Sequence, residues 1–69
     1  MKIHINGKLK TFEEKDNSIY LSWIIKQIEQ NPKLIVVEFN GTILNRQFWD
    51  EQKVHDGDQI EIVTIVGGG

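Results

Sequence analysis

Strand-like segments surround a single stretch that has helical spacing. In that stretch four large aliphatic residues recur at i, i+3, i+4 and i+7, which places them on one face of a helix: Leu21, Ile24, Ile25 and Ile28. A side-chain oxygen of Asn17 or Ser18 can cap this helix. Because Pro32 disfavours helical geometry at the residue before it, we expect the helix to end near Gln30.

The segment before the helix predicts a β-hairpin. Ile3 and Ile5 alternate with polar residues, which is typical of a strand with one buried face. Asn6-Gly7 follows, and these residues tolerate the positive φ angles of a type I′ turn. We expect residues 9–13 to return as a second strand, with Phe12 near the core.

The segment after the helix predicts three further strands. Residues 34–39 are short, apolar and β-branched, which favours a strand paired on both sides. Asn40-Gly41 is a second turn, and Ile43-Leu44 follows it. Residues 46–49 predict a short helical turn whose aromatic residues cover one end of the core. Residues 59–66 alternate again, with Ile60 and Ile62 inward.

Strands, one helix and more strands predict an α+β fold. In it a mixed sheet of four or five strands packs on one main helix. We expect residues 1–66 to form one domain and residues 67–69 a flexible glycine tail. A chain of 69 residues builds a small core and has little material for a catalytic cleft. A carrier or binding module, with no enzymatic activity of its own, is therefore favoured.

Composition argues against several classes of partner. The net charge is −2 and the charges are interspersed, so nucleic acid is a poor candidate. The apolar stretches are too short for a membrane span. Cysteine is absent, which removes thiolate metal sites and a cysteine nucleophile. The two histidines are far apart in sequence, so we expect no metal site.

The sequence ends on three glycines that no turn explains, Gly67, Gly68 and Gly69. Without Cβ atoms these residues fit a narrow channel, and three extended residues reach roughly 10 Å. A tail of this kind can thread into a partner's ATP site. There the carboxylate of Gly69 can be joined to AMP, giving an acyl-adenylate that accepts sulfur or an amine. The alternative is that the glycines are incidental or an added linker.

Threading such a tail requires a docking surface. Ordering three glycines costs about 3–6 kcal/mol, which burial of apolar side chains on a partner must offset. Candidates on the sheet face opposite the helix are Val36, Val63 and Ile65, continued by Val66. Arg46 either caps local carbonyls or pairs with the partner. The alternative for the apolar residues is that they only fill the sheet or contact another copy.

Several stretches together resemble one known family. They are Asn40 with its turn, residues 43–49 (apolar–x–x–Arg–x–x–Trp), Asp56-Gly57-Asp58-Gln59-Ile60, and the terminal Gly68-Gly69. In this order and spacing the chain resembles, along essentially its whole length, the ThiS sulfur carriers of thiamine biosynthesis, which have a ubiquitin-like β-grasp fold. Gly67 departs from the pattern, since relatives often have alanine or another small residue there.

The resemblance implies a mechanism and a set of partners. A ThiF-like enzyme would use ATP and Mg²⁺ to adenylate Gly69, while the chain itself binds no cofactor. A persulfide donor would then replace AMP with sulfur, and the resulting thiocarboxylate would supply a ThiG-like thiazole synthase. The compartment would be the cytoplasm, or the plastid stroma if the gene is organelle-encoded.

Three other functions fit the same fold. One is the small subunit of molybdopterin synthase, which resembles MoaD and shares the glycine tail, although the Arg–x–x–Trp stretch suits ThiS better. Another is a ubiquitin-like modifier joined to lysines through Gly69. The last is an interaction module whose tail has no role.

Overall fold

A computed structural model describes residues 1–13, 19–28 and 31–65 of the chain. Within them a five-stranded sheet packs on one α-helix. The strands are β1 (Lys2–Ile5), β2 (Lys8–Thr11), β3 (Ile35–Phe39), β4 (Thr42–Leu44) and β5 (Gln59–Thr64). The helix α1 spans Leu21–Gln27, and two 3₁₀ turns span Pro32–Leu34 and Arg46–Phe48.

The last strand lies in the middle of the sheet. The strand order is β2-β1-β5-β3-β4. β5 runs parallel to β1, with His4 beside Gln59, and antiparallel to β3, with Val36 beside Val63. The sheet is therefore mixed, as predicted, with five strands.

Both predicted hairpin turns are present. Asn6 and Gly7 have φ angles of 52° and 79°, and Asn40 and Gly41 have 51° and 87°. Two consecutive residues with positive φ are the geometry of a type I′ turn, which matches the twist of the flanking strands.

The core lies between α1 and the inner face of the sheet. Leu21, Ile24 and Ile25 of the predicted stripe are buried, and Ile28 and Phe12 pack against them partly buried. The sheet contributes alternate residues of its strands: Ile3, Ile5, Ile35, Val37 and Ile60. The helical stripe and the inward residues of the strands are thus confirmed.

The N-cap of the helix is not one of the two predicted residues. Asn17 and Ser18 lie outside the described residues, and the N-cap is Tyr20, whose side chain makes no capping hydrogen bond. Backbone carbonyls of a distant loop replace a capping side chain, because the amide of Leu21 donates to Gln52 O at 2.8 Å and that of Ser22 to Trp49 O at 3.1 Å. These contacts satisfy two amides that a helix cannot satisfy itself.

Three predicted boundaries extend too far. The helix ends at Gln27, and Ile28, its C-cap at ψ 4°, packs against the core from beyond the last helical residue. The second strand ends at Thr11 and the last at Thr64. Residues 29–30 and 66–69 lie outside the described residues.

The prediction for the aromatic turn is half right. Trp49 is 4% exposed and belongs to the core, whereas Phe48 is 43% exposed. A single 3₁₀ turn places consecutive side chains about a third of a turn apart. Only one of the two aromatic residues can therefore face the core.

Candidate functional site

The C-terminal segment leaves the sheet at a fixed point. Thr64, the last residue of β5, pairs with Ile35, and the amide of Ile65 donates to Leu34 O at 2.6 Å. Val66 and the predicted tail residues Gly67, Gly68 and Gly69 lie outside the described residues. Four extended residues beyond Ile65 span roughly 14 Å.

The outer face of the sheet, opposite α1, carries an apolar patch beside this exit. We define the outer patch as Val36, Ile43, Val63 and Ile65. Val63 is 57% exposed, Ile65 47% and Ile43 64%, while Val36 is half-buried. The structure thus places the predicted Val36, Val63 and Ile65 together on the face that the helix leaves uncovered.

Ile43 belongs to the outer patch although it was not predicted as a site residue. It pairs with Glu38 across β3 and β4, so both side chains point to the outer face. The two-residue turn at Asn40-Gly41 fixes this register. That signal was present in the sequence and could have identified Ile43.

Two carboxylates stand beside the outer patch. Glu38 on β3 pairs directly with Glu61 on β5, one outer-face position along the ladder from the pair of Val36 and Val63. Glu38 is half-buried and Glu61 is exposed. The middle of this face is therefore acidic and its tail-exit end apolar.

Arg46 is not part of the outer patch. It lines a groove of about 270 Å³ on the helix side of the sheet, with Lys26, Trp49 and Asp50 among the other lining residues. The structure therefore brings together three of the predicted docking residues and leaves Arg46 on another surface.

The side chains of three other motif residues, Asn40, Asp58 and Trp49, hydrogen-bond to backbone groups, and Asn40 also bonds to Asp58. Asn40 accepts a hydrogen bond from the amide of Gln59 at 2.8 Å and donates one to Asp58 at 3.2 Å. Asp58 also accepts from the amide of His55 at 2.7 Å, and the indole of Trp49 donates to Leu44 O at 2.9 Å. These contacts fix the start of β5 and the end of β4, and hence the sheet from which the tail leaves.

The described part of the chain has neither a metal-binding cluster nor a membrane-spanning helix. Residues 1–13, 19–28 and 31–65 contain no group of three His, Asp or Glu side chains placed to hold a metal ion. No helix among them is long and apolar enough to cross a membrane. The chemical feature of the site is the end of β5, after which the sequence continues to three glycines, beside an uncovered apolar surface.

Comparison with known proteins identifies the family. The sequence profile of the ThiS family matches residues 3–69, which include the terminal glycines. The chain belongs to the ThiS family. The resemblance seen in the sequence is therefore confirmed, and membership places the chain among the sulfur carriers of thiamine biosynthesis.

The fold agrees with this membership. The crystal structure of the thiamine biosynthesis protein ThiS from Geobacter metallireducens superimposes with a TM-score of 0.84 over the whole of both chains, at 30% sequence identity. The predicted ubiquitin-like β-grasp fold is thus confirmed.

Relatives similar in sequence include two short chains. The sulfur carrier protein ThiS of Bacillus subtilis is 33% identical over 67 residues, which cover 97% of this chain and 98% of the relative. The ycf40 protein of Trieres chinensis is 42% identical over 53 residues, covering 77% of this chain and 73% of the relative.

A longer relative is also similar. A thiazole synthase of Paramagnetospirillum magneticum is 30% identical over 69 residues. The match covers all of this chain but 20% of that protein, so a ThiS-like segment occurs there within a longer polypeptide.

Proposed function

We propose that this chain carries sulfur on its last residue. In the first step a ThiF-like enzyme joins the Gly69 carboxylate to AMP, with ATP and Mg²⁺ bound by that enzyme and pyrophosphate as leaving group. The outer sulfur of a persulfide donor then forms the C–S bond as AMP leaves. A thiol of the donor reduces the remaining S–S bond, and Gly69 is left as a thiocarboxylate.

The observation that carries this proposal is the position of Ile65, the last described residue, at the end of β5. β5 is held by neighbours on both sides, and Ile65 is bonded to Leu34 at the edge of the outer patch. A partner that covers the patch therefore meets the base of the tail. The four residues beyond it are long enough to enter a buried site.

We propose a ThiG-like thiazole synthase as the protein that accepts the sulfur. The thiazole synthase of Paramagnetospirillum magneticum, which contains a ThiS-like segment, supports this partner. The family match favours the thiamine pathway over molybdopterin synthase. In this scheme the chain is a cosubstrate and catalyses nothing by itself.

We place the carrier in the cytoplasm or in the plastid stroma. Relatives named ycf40 in Porphyra purpurea and Pyropia yezoensis are consistent with the plastid option.

Intact mass spectrometry tests the sulfur-carrier function. The chain is incubated with ATP, Mg²⁺, a ThiF-like enzyme and a persulfide donor. We expect the mass to rise by the difference between sulfur and oxygen, and the new group to be lost when the thiazole synthase and its other substrates are added. A chain from which Gly69 has been deleted retains every residue of the described fold and is expected to gain no sulfur.

Two results would contradict the proposal. One is an unchanged mass with an activating enzyme that is competent on the Bacillus subtilis carrier. The other is conjugation of Gly69 to lysines of other proteins without any persulfide donor, which would indicate a ubiquitin-like modifier.

A further inference from the structure

The pair formed by Glu38 and Glu61 has no cationic neighbour within the sheet. Across β4, Glu38 faces Ile43. Two positions away along the strands, the outer-face neighbours are uncharged: Val36, Asn40, Gln59 and Val63. On β1 the titratable residues of this face are His4, which lies beside Gln59, and Lys2, which lies two residues further from the pair.

Such a pair is unfavourable for the isolated fold. Like charges directly opposite one another on neighbouring strands destabilise a sheet. Glu38 is also half-buried, which reduces its contact with water. Folding of the free chain therefore does not account for two glutamates at these positions.

The position of the two carboxylates limits which protein surfaces can cover the outer patch. Val36 and Val63 flank the two carboxylates on the tail-exit side, and Ile43 lies beside Glu38 on the edge strand β4. A second copy stacked face to face would bring two more carboxylates to the same place, and like charges brought together across an interface disfavour association. A surface with a positive charge at this point, in contrast, relieves the repulsion while its apolar side chains cover the patch.

We propose that the outer face binds a basic patch of the partner protein, with an arginine or lysine of that partner placed between Glu38 and Glu61. The inference rests on the proposed function, and the partner to which it commits is the thiazole synthase. The two glutamates select a basic partner and keep the apolar surface from binding a second copy of the chain. Guanidinium is the group best suited to bridging two carboxylates, because it presents several donors in a fixed plane.

The test compares two double variants that change the net charge equally. Glu38→Gln with Glu61→Gln removes the pair, and Glu13→Gln with Glu51→Gln removes two exposed acids elsewhere. Binding to the thiazole synthase of the same organism is measured by titration calorimetry at low and high salt. We expect the first variant to bind about tenfold or more weakly at low salt and with less dependence on salt, and the second to bind as wild type does.

Two further measurements on the same samples separate docking from folding. We expect the urea midpoint of Glu38→Gln with Glu61→Gln to equal or exceed that of wild type, since a repulsion has been removed. In sedimentation experiments we expect this variant to self-associate at concentrations at which wild type is monomeric. A loss of binding therefore cannot be attributed to unfolding.

Three outcomes would overturn the inference. Equal affinity of the two double variants shows that the pair does not contact the partner. Self-association of wild type through this face shows that the occupant is a second copy. Absence of any binding by a wild-type chain that does form the thiocarboxylate removes the thiazole synthase as the partner, whereas absence of the thiocarboxylate itself contradicts the proposed function.

Discussion

Trp49 joins three parts of the molecule. Its ring is buried in the core, its indole nitrogen donates to Leu44 O at the end of β4, and its carbonyl accepts from Ser22 at the start of α1. The carbonyl of Leu44 lies at an edge of the sheet, where it has no further strand to pair with. One side chain thus fixes the edge strand that carries Ile43.

Replacing Trp49 by phenylalanine tests this role. The Trp49→Phe variant keeps an aromatic ring but loses the indole donor and part of the packed volume. We expect the free energy of unfolding to fall by about 1–2 kcal/mol. That is a large part of the stability of a domain of this size. Urea unfolding followed by circular dichroism measures it. Phe48→Leu, at the exposed neighbour, is the control, and an equal loss there would contradict the assigned contact.

The elements of the fold depend on turns that few residues can form. Asn40 and Gly41 both have positive φ, and the turn they form sets which residues of β3 and β4 face each other. A Cβ at Gly41 would meet no atom within 4 Å. Space is therefore not what excludes other residues there; the backbone conformation is.

Because the backbone conformation, and not space, excludes other residues at position 41, we expect L-alanine and D-alanine to have opposite effects on stability there. Gly41→Ala is expected to cost about 1–2 kcal/mol, the strain of an L-residue in the left-handed region. D-alanine at the same position, introduced by chemical synthesis, adds the same methyl group without that strain and is expected to stabilise the fold. Thermal unfolding of both chains measures the difference. A loss of the same size for D-alanine would point to a steric cause.

At the scale of the whole molecule, one face of the sheet forms the core and the other is exposed to a partner. The inner face and α1 form the core, while the outer face carries the exposed patch and the carboxylate pair. Exposed apolar residues such as Val63 contribute little to the fold and are available to a partner. Stability and docking are therefore expected to be separable by mutation.

The Val63→Ser variant tests whether a mutation on the outer face weakens docking to the partner. Val63 is 57% exposed in the outer patch, and Leu9 on β2 is 56% exposed but lies at the far edge of the same sheet. We expect Val63→Ser to raise the KM for the chain in the adenylation reaction about tenfold, as loss of one buried valine predicts, with kcat retained. We expect Leu9→Ser to leave KM unchanged.

Pyrophosphate release measures both parameters. Equal effects of Val63→Ser and Leu9→Ser, or a fall in kcat alone for Val63→Ser, would contradict docking through the outer patch.

The sequence by itself determined the features that follow from local sterics and periodicity. Positive φ at Asn-Gly dipeptides located both hairpins, and the spacing of Leu21, Ile24 and Ile25 located the buried face of the helix. Alternation placed Val36 and Val63 on the outer face. Each of these signals involves residues within one element or one turn, where the backbone and side-chain geometry limits the choices.

The tertiary structure alone decided which strands are neighbours. The pattern within a strand indicates which face a residue takes but not which strands are neighbours. It does not show that β5 lies between β1 and β3, or that Glu38 is opposite Glu61. The same holds for the helix start, where the amides of Leu21 and Ser22 donate to the carbonyls of Gln52 and Trp49. These pairings join residues far apart in sequence, and they are selected by burial of the whole core rather than by any short segment.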